Sequence, residues 1–194
     1  MNALVEPTRL TNYHRTDGEL EALVIYAVMA WGREASRAQR AVSVLLDHCP
    51  PAVSPFKQIR LASAAGMLRA ALEATRIGDY AKRQRALERA IAHDPRTVSV
   101  EVLSACVGLK SARLVALHSR RDASCAVLDR HVLAYLRDLG YAVPERDTPR
   151  NSHRYQAIEA LVLAECARQG RHPAELDLTT WLERSQHPQT PLFA

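Results

Sequence analysis

Hydrophobic residues recur three and four positions apart along most of the chain, the period of a helix with one buried face. Leu20, Leu23, Val24, Ala27, Val28 and Trp31 follow it, with Asp17 as expected N-cap and Gly32 as stop. A second run spans 34–48, with Ala38, Ala41, Val42, Leu45 and Leu46 inward. Pro50, Pro51 and Pro55 then break the chain. A short helix over 56–61 and a longer one over 64–77 are expected next, the latter ended by Gly78. Asp79 reads as the cap of a basic helix to about His93, carrying Lys82, Arg83, Arg85 and Arg89.

The second half continues the pattern. Ser99 caps a short helix over 100–105, and Cys106-Val107-Gly108 forms a tight connection before helix resumes over 109–119. Residues 120–124 read as a polar loop. A helix starting near Asp129 runs through Leu136 and ends at Gly140. A charged loop covers 144–149, helices follow over about 152–169 and 173–185, and 186–194 is a polar tail. No stretch alternates long enough to argue a sheet. The prediction is an all-α, multi-helix protein with short loops.

Composition narrows the function classes. The 194 residues suffice for one domain or two small subdomains sharing a core. Lys and Arg number 26 against 21 Asp and Glu, a net charge of +5, which permits a polyanionic partner without demanding one. No run approaches the ~20 apolar residues that span a bilayer. Met1 to Arg15 lacks the apolar stretch of a signal peptide, so a cytoplasmic protein is expected. Cys49, Cys106, Cys125 and Cys166 are too widely spaced for a zinc knuckle or a tight iron–sulfur loop, and reduced thiols are expected.

The segment from Val98 to Leu136 carries the chemistry. A tight helical hairpin exposes backbone N–H groups at a helix N-terminus, which hold an anion without any particular side chain. In a basic protein, a nucleic-acid phosphate suits that place. Lys110 falls in the first turn of its helix, where the positive helix end disfavours a cation and suits an amine acting as nucleophile. Asp129, nineteen residues on, falls where N–H donors and the dipole of the next helix stabilise a carboxylate. Amine and carboxylate together suit attack at a sugar anomeric carbon.

Val107-Gly108-Leu109-Lys110-Ser111-Ala112, followed by Leu128-Asp129-Arg130-His131-Val132, resembles the helix-hairpin-helix DNA glycosylases. Those enzymes carry a G-h-G-x-K-T-A hairpin and then h-D-x-H-V. Gly78-Asp79-Tyr80 with Arg83 resembles the start of the family's basic helix. Trp31-Gly32-Arg33, Thr148-Pro149, Tyr155, and 173–178 with Trp181 resemble its small 8-oxoguanine-excising members. Cys106 stands in place of the first hairpin glycine and Ala105 in place of the preceding proline.

The resemblance implies a two-subdomain fold with a DNA and base cleft in one glycosylase domain over 1–185. Residues 1–55 with 145–185 would form one subdomain, and 56–144 the hairpin subdomain. It implies Lys110 as Schiff-base nucleophile and Asp129 as catalytic carboxylate. Cys106, Val107, Gly108, Ser111, His131, Arg83 and Arg120 would contact DNA, and Trp31 and Trp181 would border the base. No cofactor or metal is implied, and a monomer acting on double-stranded DNA is expected. The expected activity is excision of a damaged or modified base, 8-oxoguanine first, followed by strand nicking. Three alternatives stand beside it. One is another modified base, including hypermodified bases of viral DNA. Another is a non-catalytic hairpin module that binds DNA. The third is a helical interaction protein whose Lys–Asp spacing is fortuitous.

Overall fold

The computed structural model describes residues 5–145 and 148–186, so the tail beyond 186 and part of the charged loop lie outside the described residues. Ten α-helices and one short 3-10 turn, Pro7–Arg9, build the described chain. They are α1 (Asp17–Met29), α2 (Ala35–Asp47), α3 (Pro55–Ala64), α4 (Leu68–Ala74) and α5 (Tyr80–Ala90). After these come α6 (Val100–Val107), α7 (Leu109–Ser119), α8 (Arg130–Asp138), α9 (Ser152–Gln169) and α10 (Pro173–Gln186). Among the described residues there is no strand, so the all-α expectation holds.

Several boundaries differ from the sequence reading. Thr16, not Asp17, caps α1. Its hydroxyl accepts the Glu19 amide and the Glu19 carboxylate accepts the Thr16 amide, a reciprocal box. Asp17 pairs instead with Arg96 at 2.7 Å. The short helix expected over 56–61 runs on to Ala64 as α3, and the one expected over 64–77 shrinks to Leu68–Ala74, with Gly66 at a φ of +68° in the turn between them. Asp79 adopts a left-handed backbone and makes no cap bond. Its carboxylate lies 3.9 Å from Arg33.

Helix α1 is buried on every side from Ala22 to Met29 and packs on α2, α3, α5 and α7. A helix apolar all round has to be surrounded, and this one gathers α1–α7 into one core. A second core joins α8, α9 and α10 through Leu133, Leu136, Tyr155, Val162 and Leu176. A third, smaller cluster of Ala116, Leu117, Cys125, Val127 and Ala174 lies where the end of α7 meets the start of α10. The apolar side chains of the N-terminal helices thus cluster with those of α3–α7.

Arg83 corrects another expectation. It is fully buried, not on a DNA-facing surface. Its guanidinium donates to the carbonyls of Val28, Trp31 (3.0 Å) and Gly78 (2.8 Å). Two of these belong to the open C-terminal end of α1, where a cation is favoured. Replacing Arg83 by Met keeps the length of the side chain but leaves these carbonyls without their donor. Arg83→Met should cost roughly 3 kcal/mol in urea unfolding, while the exposed Arg85→Met stays within about 0.5 kcal/mol. Equal midpoints for the two variants would contradict the role given to Arg83.

Candidate functional site at the hairpin and the start of α8

Only Gly108 separates α6 from α7, because α6 runs on through Cys106 and Val107. Its φ of 88° and ψ of 158° lie in a region that is essentially glycine-only. A Cβ at this position would meet nothing within 4 Å, so the demand is conformational rather than steric. The Gly108 amide closes α6 by donating to Ser104 O (2.9 Å), and its carbonyl opens α7 by accepting from Ala112 N (3.0 Å).

This geometry moves the expected phosphate donors. Cys106 and Val107 lie inside α6, where their amides belong to the helix ladder, and the Gly108 amide is taken. The open amides of α7 are those of Leu109, Lys110 and Ser111, with no side-chain cap over them. Lys110 is half-exposed beside them. The Ser111 hydroxyl is buried, accepting from Trp31 Nε1 (2.7 Å) and donating to Ala27 O (3.1 Å). Ser111 and Trp31 therefore fasten α7 to the end of α1. The Ser111 side chain is not available to DNA, and the indole N–H of Trp31 is not available to a base.

Asp129 caps α8, its Oδ1 accepting from the amides of His131 (2.8 Å) and Val132 (2.9 Å). The extended segment before it is held by side chains instead of a sheet. Tyr155 Oη donates to Ala126 O and accepts from Leu128 N, both at 3.0 Å. Glu159 accepts from Ala126 N (2.9 Å), and Thr148 donates to Leu128 O (2.6 Å). Arg113 of α7 grips Glu159 through two bonds, of 2.7 and 3.2 Å, and lies 4.4 Å from the centre of the Tyr155 ring. The path of the chain into Asp129 is thereby tied to the helix that carries Lys110.

His131 is nearly buried. Its ring accepts from Arg130 Nε (3.1 Å), and burial holds it below the ordinary imidazole range despite Asp129. It is a packed neutral ring rather than the expected phosphate contact. Arg120 also turns inward, donating to the carbonyls of Pro95 (2.9 Å) and Val98 (2.7 Å). Trp181 is half-buried on α10, one turn beyond Asp177.

Sequence reasoning missed the buried pair behind the site. His118 Nε2 lies 2.9 Å from Asp177 Oδ2, and its Nδ1 lies 2.8 Å from the Thr11 hydroxyl. Burial pushes the Asp177 carboxyl up, with the His118 hydrogen bond pulling against it. A His at the end of α7 and an Asp on α10 signal this pair only once the two helices are known to touch.

Two cavities are lined by neither Lys110 nor Asp129. One, of about 330 Å³, runs between α7 and α9 beside Arg113, Arg120 and Glu159. The other, of about 380 Å³, is lined by Pro144, Thr148, Pro149, Arg150 and Arg154. Among the described residues, no group of three or more His, Cys, Asp or Glu is placed to hold a metal ion. No described helix is long and apolar enough to cross a membrane. Compared with known proteins, the chain matches no protein-family model, no curated protein and no solved structure.

The one-residue link makes a sharp prediction. Gly108→Ala should destabilise the fold by about 1–3 kcal/mol in chemical denaturation although the space beside it is open. Wild-type stability in this variant would show that the link tolerates an ordinary residue.

Proposed function

We propose that the chain is a DNA glycosylase with strand-nicking activity, using Lys110 as nucleophile and Asp129 as the charge-balancing carboxylate. One observation carries the reading. The lysine stands beside three open amides at the start of α7, and Arg113 of that same helix, through Glu159, holds the segment that enters the Asp129-capped N-terminus of α8. Open amides suit a backbone phosphate, and a duplex anchored there would bring a sugar toward the amine.

The chemistry follows from the residue types. The target nucleotide leaves the stack, at a cost of a few kcal/mol that is least for a poorly paired base. The Lys110 amine, in its free-base form, bonds to C1′; the N-glycosidic electron pair departs with the base, which takes up the proton that the bonded nitrogen sheds. Asp129 offsets the positive charge that develops on the sugar ring. Opening of the ring gives an imine between Lys110 and C1′. Loss of a proton from C2′ then expels the 3′ phosphate, and water hydrolyses the imine to free the lysine. The cap bonds use Oδ1 of Asp129, which leaves Oδ2 for the sugar. The base of first choice is 8-oxoguanine, on resemblance.

Borohydride trapping on duplexes carrying single modified bases or an abasic site tests the reading. Wild type should form a covalent complex, and Lys110→Gln should form none. Asp129→Asn keeps a good cap, so it should fold and bind DNA while excision falls at least about 100-fold, the loss of one strong electrostatic contact in the transition state. Failure of wild type to trap on any of these substrates would remove the catalytic reading.

A further inference from the structure

The basic helix α5 has two different faces. Arg83 points into the core, as described above. Lys82, Arg85 and Arg89 are exposed and follow the i, i+3, i+7 spacing of a single stripe. Among the described residues, none of the three makes an ion pair. The one carboxylate of α5, Glu88, turns aside to Ser63 (2.9 Å) and Gln84 (3.0 Å). Among the described residues, the stripe is therefore three cations with no carboxylate partner.

Its position is fixed at one end by the hairpin. Lys82 Nζ lies 4.9 Å from the centre of the Trp31 ring, and that ring is bonded to Ser111, next to Lys110. Along its length, α5 packs against α6, the helix that ends at the Gly108 turn. The stripe thus lies on a helix that flanks α6, with its Lys82 end held at Trp31 beside the α6–α7 turn. From Lys82 to Arg89 the helix rises about 10 Å, close to three axial steps between successive phosphates of one strand.

The geometry points to Lys82, Arg85 and Arg89 as a track for the phosphodiester backbone of duplex DNA. The track lies beside the hairpin and is independent of base sequence. The choice of DNA as partner rests on the glycosylase reading, while the charge arrangement does not. Lys82 also keeps its ammonium over an aromatic face, which holds a flexible side chain near the hairpin before DNA arrives. The track and the open amides of α7 would hold the backbone at two places. The strand between them would be restrained while one nucleotide leaves the stack.

Binding to an undamaged duplex of about 20 base pairs, followed by fluorescence anisotropy across a range of NaCl, tests the track. The variant K82Q/R85Q/R89Q should reduce the steepness of log K against log salt by about 2–3, and Arg85→Gln alone by about 1. At about 0.1 M salt the triple variant should bind at least roughly tenfold more weakly, equally for unrelated sequences. Its thermal melt should match wild type, because all three side chains are exposed.

Wild-type affinity and slope in the triple variant would overturn the track, as would failure of wild type to bind duplex. Borohydride trapping on an abasic duplex, run in parallel, separates the two readings. A wild type that traps, together with a triple variant that binds normally, sinks the track alone. A wild type that binds with a charge-dependent slope but never traps keeps the track and sinks the chemistry.

Discussion

Gly108 is the constraint on which the rest of the site depends. One residue ends α6, begins α7 and reverses the chain, with a backbone geometry open essentially to glycine alone. A longer link would have let side chains or loop atoms cover the first amides of α7. The one-residue link leaves Leu109, Lys110 and Ser111 uncapped. The core enforces this tight turn from below, since Val107 and Ala112 are both buried in the cluster around α1. Trp31 and Ser111 lock the same turn sideways.

A second support fixes the carboxylate. The segment leading to Asp129 has no sheet partner, and buried backbone groups need partners. Tyr155, Glu159 and Thr148 supply them. Glu159 is nearly buried, and such a carboxylate is costly unless paired. Arg113 pairs it, which makes the α7–α9 bond a structural necessity as well as a link between the two cores. The basic character of the protein divides in the same way. Arg83, Arg113 and Arg120 serve internal carbonyls and carboxylates, while Lys82, Arg85 and Arg89 remain on the surface.

The helices were legible because their periodicity is local, and so was the Asp129 cap, because an aspartate just before an amphipathic run has few other roles. The hairpin was legible only in part. The sequence suggests a three-residue connection, but Cys106 and Val107 tolerate helix and leave the turn to Gly108. The inward or outward turn of each arginine was not legible. Arg83 and Arg85 sit two apart on one helix, and only the carbonyls at the end of α1 decide which is buried. The His118–Asp177 pair was hidden for a similar reason, since its members are 59 residues apart and meet only through the packing of α7 against α10.

The central claim is that one particular amine forms the covalent bond. The chain has only three lysines, Lys57, Lys82 and Lys110, so the claim can be read directly by peptide mass mapping of a reduced protein–DNA adduct. The sugar remnant should be found on the peptide containing Lys110 and on neither of the others. A remnant on Lys82, on Lys57 or on the terminal amine would contradict it.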